Sequence, residues 1–403
     1  MLDKDALHKQ VKKYEKDITR FCRDIVRTPS FSCQEGALVE VISKEMKKCG
    51  FDEIKVDRMG NVIGRIGNGK TKIMIDAHID TVGIGDPTAW SWDPFKGKFE
   101  DGKIYGRGAT DQKGVMAAMV YGGKLIKDLK LDGDYTLYVV GSCQEEECDG
   151  LCIMHIVEKE RIRPDFMVLT EATDMKVYRG HRGRVELKVV TKGRSCHASC
   201  PPRGVNAIYR MTKIIDQIAK LDKKLKSPGF LGKGTVAVTK IECKTPSLNA
   251  VPDECTIYLD RRLTTGETKE LAVQQILELP AVKDAQATVD ILQYEAICYT
   301  GLKVKQEKYF PSWELPESHP LIQSAVEAAT IALKKKPVVD KWIFGTNGSA
   351  SMGRLGIPSV GFGAANEIYA HTTEEHIKVQ DLLEAAVFYA AIPQLLLARV
   401  GKK

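Results

Sequence analysis

Four short, nearly unbroken apolar runs constrain this chain most: Lys72–Ala77, Thr136–Gly141, Asp165–Leu169 and Pro358–Phe362. A strand that is apolar at successive positions belongs in a sheet covered on both faces. Helical spacing over Val115–Leu129 and Leu321–Leu333 supplies such cover, so the class is α/β. Leu7, Val11, Tyr14, Ile18, Phe21, Ile25 and Val26 add one amphipathic helix ending near Thr28 and Pro29.

The middle of the chain changes pattern. An alternating run from Val185 precedes a helix over Asn206–Leu221, strands near Gly234–Cys243 and Asp253–Arg262, a helix over Thr268–Leu279 and a strand over Ala287–Gln293. That β-α-β-β-α-β order predicts a ferredoxin-like α+β domain inserted into the larger one. With 403 residues, two domains are expected: 1–181 with 295–403, and the insert 182–294.

Hydrophobic residues at 43% and charged residues at 28% exclude disorder, collagen and coiled coil. No uninterrupted apolar run reaches the roughly 18 residues of a spanning helix, and the charged opening segment lacks a signal-peptide core. The expectation is a soluble cytoplasmic protein with no membrane partner. Eleven scattered cysteines, an odd number, fit reduced thiols, although Cys148/Cys152 and Cys196/Cys200 share a spacing that raises a metal-site question. The net charge of +7 is spread among mixed signs, and the clusters Lys223, Lys224, Lys226 and Lys334, Lys335, Lys336 read as solvated helix ends. Without interleaved aromatics they do not predict nucleic-acid binding.

Gly64 to Thr71 matches the phosphate-loop pattern, but that loop must open a helix, and Thr71 leads into a strand. A β-hairpin turning at Gly67-Asn68-Gly69 is expected instead.

Hard ligands follow the strands: His78 and Asp80 after the first, Asp111 before a helix, Gln144-Glu145-Glu146-Glu147 after the second, Glu171 after the third and His371 near the end. In an open α/β sheet such loops converge on one crevice. Two imidazoles with several carboxylates suit a pair of Zn²⁺, Mn²⁺ or Co²⁺ ions, whose charge relieves the repulsion among the acids. Taken singly, each residue has an ordinary structural use; five such features behind strands point to a two-metal hydrolase.

In this order, His78-Ile-Asp80, Gly108-Ala-Thr-Asp111-Gln-Lys113-Gly114, Glu145-Glu146, Glu171 and Ala370-His371 resemble the M20 metallopeptidases, which include acetylornithine deacetylases and succinyl-diaminopimelate desuccinylases. Gly193 to Ser199 with His197, Pro202 to Ala207, Asn249 to Pro252 and Asp260 to Arg262 extend the likeness, which is nearest to a subgroup of selenium-metabolism-linked hydrolases. The resemblance implies a zinc-peptidase-like catalytic domain with an inserted lid and dimerisation domain. It implies two divalent ions per chain, zinc foremost, with cobalt or manganese as alternatives. One ion would rest on His78 and Glu171, the other on Glu146 and His371, with Asp111 bridging. Asp80 would orient His78, and Glu145 would be the general base. His197 would reach the partner's active site in a homodimer joined through the lid, while Asn249 and Arg262 would hold a small carboxylate-bearing substrate.

Three positions depart from the family pattern. Gln144 stands where an aspartate is usual, so the glutamates admit a second register with Glu146 as base and Glu147 as ligand; Glu145/Glu146 is preferred. The turn Gly363-Ala364-Ala365 is less glycine-rich, and Asn347 replaces a common aspartate with a possible effect on substrate contacts. The expected function is hydrolysis of an amide-type C–N bond in an N-acyl amino acid, short peptide or ureido amino acid. The alternative is a non-catalytic binding or scaffold subunit retaining the fold.

Overall fold

The computed structural model describes residues 2–401. A nine-stranded sheet carries Tyr135–Ser142, Thr71–His78, Phe166–Leu169 and Ser359–Gly361 side by side and parallel. Val62–Ile66 and Glu53–Val56 extend one side antiparallel; Val177–His181 and Trp313–Glu314 extend the other. Ile73, Ile75 and Ala77 face a core shared with helices Glu15–Arg27, Met116–Asp128, Pro320–Leu333 and Val379–Val400. Met74, Met167 and Leu169 face the other way, against helix Leu151–Glu158 and Trp342. Both faces are therefore buried, as the continuous apolar runs demand.

Because the four central strands are parallel, their carboxyl ends lie at one edge. Residues 78, 142 and 169 emerge there together, and His78 stands level with Ser142. Helix Val379–Val400 is long and apolar enough to cross a membrane by composition, but it is largely buried and packs against Pro320–Leu333 and Met116–Asp128.

The second sheet has the order Thr235–Lys244, Glu254–Leu263, Gly183–Lys192, Thr288–Ile291. Val185, Leu187 and Val189 alternate inward with Cys255, Ile257 and Leu259 onto helix Ala207–Lys224. The first and third strands are central, the ferredoxin-like arrangement. A short helix, Pro280–Ala285, was not expected from spacing, since it spans fewer than two turns. Only Arg182 separates the last long strand of the first sheet from the first strand of the second. The return pass lies alongside: Tyr309–Phe310 pairs with Gly183–Lys192, and Trp313–Glu314 with Val177–His181. A Cβ at Gly183 would stand 2.4 Å from the Ser312 nitrogen, so only glycine allows the two passes to approach this closely.

Two local expectations are corrected. The opening helix is two helices, Lys4–Lys13 and Glu15–Arg27, broken at Tyr14, whose φ of −92° and ψ of 0° turn its hydroxyl onto Asp128. The segment around Gly67 is a turn between two strands but not a hairpin, because Tyr135–Ser142 lies between Val62–Ile66 and Thr71–His78. The loop opens no helix, and its phosphate-loop likeness ends there.

Candidate metal centre

At the carboxyl edge the Asp111 carboxylate faces both imidazoles. Its Oδ1 lies 2.9 Å from His78 Nε2 and its Oδ2 lies 3.2 Å from His371 Nε2. Glu146 Oε2 is 3.2 Å from the same His371 atom, and Glu171 Oε1 is 3.5 Å from His78 Nε2. Glu145 Oε2 stands 3.9 Å from His78 Nε2, while its Oε1 is buried without a hydrogen-bond partner. Glu147 is exposed, away from this group, so the geometry favours the register in which Glu145 and Glu146 face the imidazoles.

The backbone explains the placement. Gln144 and His371 both adopt left-handed φ, 61° and 62°, a conformation uncommon for residues other than glycine. At Gln144 it turns the chain sharply after Ser142 and directs Glu145 and Glu146 into the crevice. Gln144 itself is buried and accepts a hydrogen bond from the Tyr294 hydroxyl. A Cβ at Gly363 would stand 2.1 Å from the Thr170 carbonyl oxygen, so glycine lets the strand carrying the His371 loop press against the Glu171 turn.

Asp80 meets His78, as expected, but through its main chain, and its carboxylate has further partners. The His78 Nδ1–H donates to the main-chain carbonyl of Asp80 at 2.9 Å, which leaves Nε2 free as a ligand. The Asp80 carboxylate lies 3.6 Å from that ring nitrogen, but it accepts from the Glu145 amide at 3.1 Å, the Glu146 amide at 3.3 Å and the Ser32 hydroxyl at 2.7 Å. It therefore clamps the peptide that presents the two glutamates.

Glu375 is the support that the sequence did not reveal. Its Oε1 accepts the amides of Thr110 and Asp111, each at 3.0 Å, and its Oε2 pairs with Arg107 at 2.6 Å. Read in YAHTTEEH, it resembles a solvated acid; in the fold it is fully buried. Asn347, expected to bear on substrate contacts, is instead buried and donates to Asp76 at 2.8 Å and Ser142 at 3.1 Å. An amide there avoids placing a second carboxylate against buried Asp76.

The charge balance tests whether cations fit. Burial pushes Glu145 and Glu171 well above the usual carboxylate range, and burial beside Asp111 also raises Glu146. Burial opposes protonation of His78, yet the Glu171 charge, the bond to Asp111 and the nearby Asp80 carboxylate hold it well above the usual imidazole value. Hydrogen bonds to Asp111 and Glu146 push His371 up to about 10. Burial works against ionisation of Asp111, but the two imidazoles hold it below its ordinary range. Among the described residues no lysine or arginine pairs with any of these four acids. A set that recruits protons onto both imidazoles and several carboxyls is short of positive charge, which divalent cations supply. Oxygen and imidazole donors in this proportion fit Zn²⁺, Mn²⁺ or Co²⁺.

A second trio, Asp57, His155 and Glu160, is also close-set. Protein partners already occupy two of its members: three amides and the Asn61 side chain bond Asp57, and Lys55 pairs with Glu160. The cysteine pairs join no such group among the described residues; Cys148 and Cys152 are buried and bonded to Gln306 and Asn347.

The centre opens into a cavity of about 390 Å³. Arg262 lines it, held by Asp260 at 2.7 and 3.0 Å, and so do Arg184, Asp149 and Glu367, which sequence reasoning missed. The strand was read from Val185, but its alternation would have set Arg184 on the face opposite the insert's core. His197 and Asn249 do not line the cavity. They are exposed neighbours on the insert, joined by the Ala198 amide to the Asn249 carbonyl at 2.8 Å.

The description "Peptidase family M20/M25/M40" matches residues 74–394. The uncharacterized protein YgeY of Escherichia coli (strain K12) is 49% identical over 384 residues, 95% of each chain. A succinyl-diaminopimelate desuccinylase of Cereibacter sphaeroides (strain ATCC 17025 / ATH 2.4.3) is 28% identical over 387 residues, covering 92% of this chain and 96% of its own. In fold, the YXEP protein of Bacillus subtilis, a dinuclear metal-binding peptidase, superposes with a TM-score of 0.72 at 16% identity, over 96% of this chain and 99% of that one.

Proposed function

The chain is a hydrolase belonging to peptidase family M20/M25/M40, and from that premise we propose that it cleaves an amide-type C–N bond in a small, carboxylate-bearing N-acyl amino acid, short peptide or ureido amino acid. The observation that carries this reading is the Asp111 carboxylate, whose two oxygens address two different imidazoles. His78 and Glu171 would hold one divalent ion, Glu146 and His371 the other, and Asp111 both; zinc is the preferred metal. When bound, the ions supply Lewis acidity and make water a nucleophile near neutral pH.

The chain's own residues do the rest. Glu145 lines the cavity with one oxygen 3.9 Å from His78 Nε2 and the other buried without a hydrogen-bond partner, and its carboxylate takes the proton of the attacking water and returns it to the leaving nitrogen. Asp80 holds Glu145 and Glu146 by their amides, and Glu375 holds Asp111 by its own. Arg262 offers a guanidinium to the substrate carboxylate. We further propose a cytoplasmic homodimer formed through the insert. Its outer strand Thr235–Lys244 is an exposed edge, and the nearby Leu248 is 98% exposed. In that dimer the exposed His197 and Asn249 complete the partner's site.

The test is equilibrium metal stoichiometry after chelator stripping, with Zn²⁺, Mn²⁺ and Co²⁺ offered separately. The reading expects about two sites per chain, lost in Asp111→Ala, and a Glu145→Gln variant that keeps its metal and loses turnover. Absence of binding under every metal would favour the non-catalytic scaffold instead.

A further inference from the structure

Three buried side-chain atoms without hydrogen-bond partners belong to residues lining the cavity: Glu145 Oε1, Arg184 Nε and Glu367 Oε2. The first is used by the hydrolytic reaction. The other two are opposite in charge and come from different elements, which points to a ligand carrying both signs.

Arg184 is held rigidly. Its terminal nitrogen donates to Asp149 Oδ1 at 2.8 Å, and its guanidinium lies 4.6 Å over the Phe310 ring. It sits directly opposite Arg262 in the antiparallel register, so both side chains leave the same face of the sheet. Each guanidinium has carboxylate partners, Asp149 and Glu186 for Arg184 and Asp260 for Arg262, and the pair can share an anion without facing uncompensated repulsion. The Arg184 Nε lies 3.6 Å from Glu186 Oε1 without a hydrogen bond, and Lys308 shares that acid at 3.2 Å, so the guanidinium keeps donor capacity for the anion.

Glu367 lies on the short turn Glu367–Tyr369, just before His371. Burial raises its carboxyl above the ordinary range, Asp340 and Asp174 add to the effect, and the nearby Lys176 opposes it while pairing with Asp174 at 3.7 Å. A buried carboxylate oxygen with acidic neighbours and no committed cation is a seat for an ammonium group. Exposed Ile343 and Ile368 line the same cavity and suit a short methylene chain.

We propose that Arg184 and Glu367 read the substrate's charges: Arg184, beside Arg262, takes a carboxylate, and Glu367 takes an ammonium. The substrate is then a zwitterionic amino-acid derivative, a dipeptide or a diamino acid acylated or carbamoylated on one nitrogen. This rests on the hydrolase reading above and adds the charge pattern that the substrate must carry.

The test is calorimetric binding of two five-carbon probes, 5-aminopentanoate and glutarate, to the metal-loaded enzyme. Each presents a carboxylate, so their affinity ratio isolates the second group. The expected ratio favours the zwitterion by ~10-fold or more, and Glu367→Gln, which keeps the side-chain volume, brings it to about one. An Arg184→Met/Asp149→Asn double variant, which leaves no unpaired carboxylate behind, weakens both probes by ~10-fold. Arg184→Lys falls between. Equal or tighter binding of glutarate by the wild type, a ratio unmoved by Glu367→Gln, unchanged binding in the double variant, or no binding of either probe by enzyme holding two ions would overturn the proposal. Metal content and turnover of a panel of N-acyl and ureido amino acids are measured on the same samples. Two ions with turnover and a flat ratio reject only the charge reading. No metal and no turnover reject the hydrolase reading beneath it.

Discussion

Replacing Asp80 by asparagine tests whether this residue acts on the imidazole or on the glutamate peptide. The carboxylate accepts from the Glu145 amide at 3.1 Å, the Glu146 amide at 3.3 Å and Ser32 at 2.7 Å. In the best-fitting orientation an asparagine oxygen keeps the Glu145 amide, while its NH₂ turns to the Ser32 hydroxyl and faces the Glu146 N–H. One charge-assisted bond is lost and one buried donor is orphaned, for about 2–3 kcal/mol. The penalty falls on Glu146, so affinity for the ion shared with His371 should drop by ~30- to 150-fold, and kcat with it. His78 should be little affected, because the Asp80 main-chain carbonyl orients it. The assay is competitive chelator titration of the wild type, Asp80→Asn, His371→Ala and the double variant. In the His371→Ala background only the ion on His78, Asp111 and Glu171 remains, and there Asp80→Asn should change affinity less than about threefold. An equal loss in both backgrounds would refute the peptide-clamp reasoning and return Asp80 to the imidazole.

Three further outcomes are expected. His181 is buried and neutral, accepting the Thr346 amide at Nε2, and burial lowers its pKa from 6.5 to about 4. The unfolded chain binds the extra proton first, so this contribution is full above pH 6.5 and is lost as pH falls toward about 4. Urea unfolding at about pH 7.5 and pH 5 should show a drop in stability ~2 kcal/mol smaller for His181→Gln than for the wild type; identical drops would remove His181 from the acid response. Glu375→Gln should cost ~3–5 kcal/mol at about pH 8 by leaving Arg107 buried and unpaired, part of it recovered by adding Arg107→Met. A denaturation loss under about 1 kcal/mol would show that the pair carries little. Finally, mixing inactive Glu145→Gln with inactive His197→Ala should restore about a quarter of wild-type turnover, because half the dimers then hold one intact site. No recovery after verified subunit exchange would place His197 outside the partner's site.

The parallel sheet was legible because burial on both faces leaves an unambiguous apolar signature, and most ligand candidates were legible because they follow such a run, Asp111 instead preceding a helix. Local reading failed where a distant partner decides. Nothing near Tyr14 announces a helix break, since its hydroxyl answers to Asp128 on another helix. The turn at Gly67 looked like a hairpin because a short sequence cannot show that Tyr135–Ser142 separates the two strands. Asn347 looked like a substrate contact until Asp76 and Ser142 claimed its amide. Glu375 and Arg184 were invisible for the same reason: an acid between polar residues, or an arginine before an alternating strand, ordinarily faces water. Their meaning lies in Asp111 and Asp149, far away along the chain.

The paired crossing between the two sheets bears on how such a molecule can be assembled over evolutionary time. The chain leaves the first sheet at Gly183 and re-enters at Trp313, and the two passes touch at Ser312. A segment whose ends are already adjacent can be gained, exchanged or removed with little loop-closure penalty. His78, Asp111, Glu146 and Glu171 precede the crossing and His371 follows it, so the proposed ligand set lies wholly outside the inserted segment. Arg184 and Arg262 travel with the exchangeable segment. On the proposed reading, chemistry and substrate choice are thereby inherited as separate parcels, and a new specificity can be acquired without rebuilding the proposed metal centre.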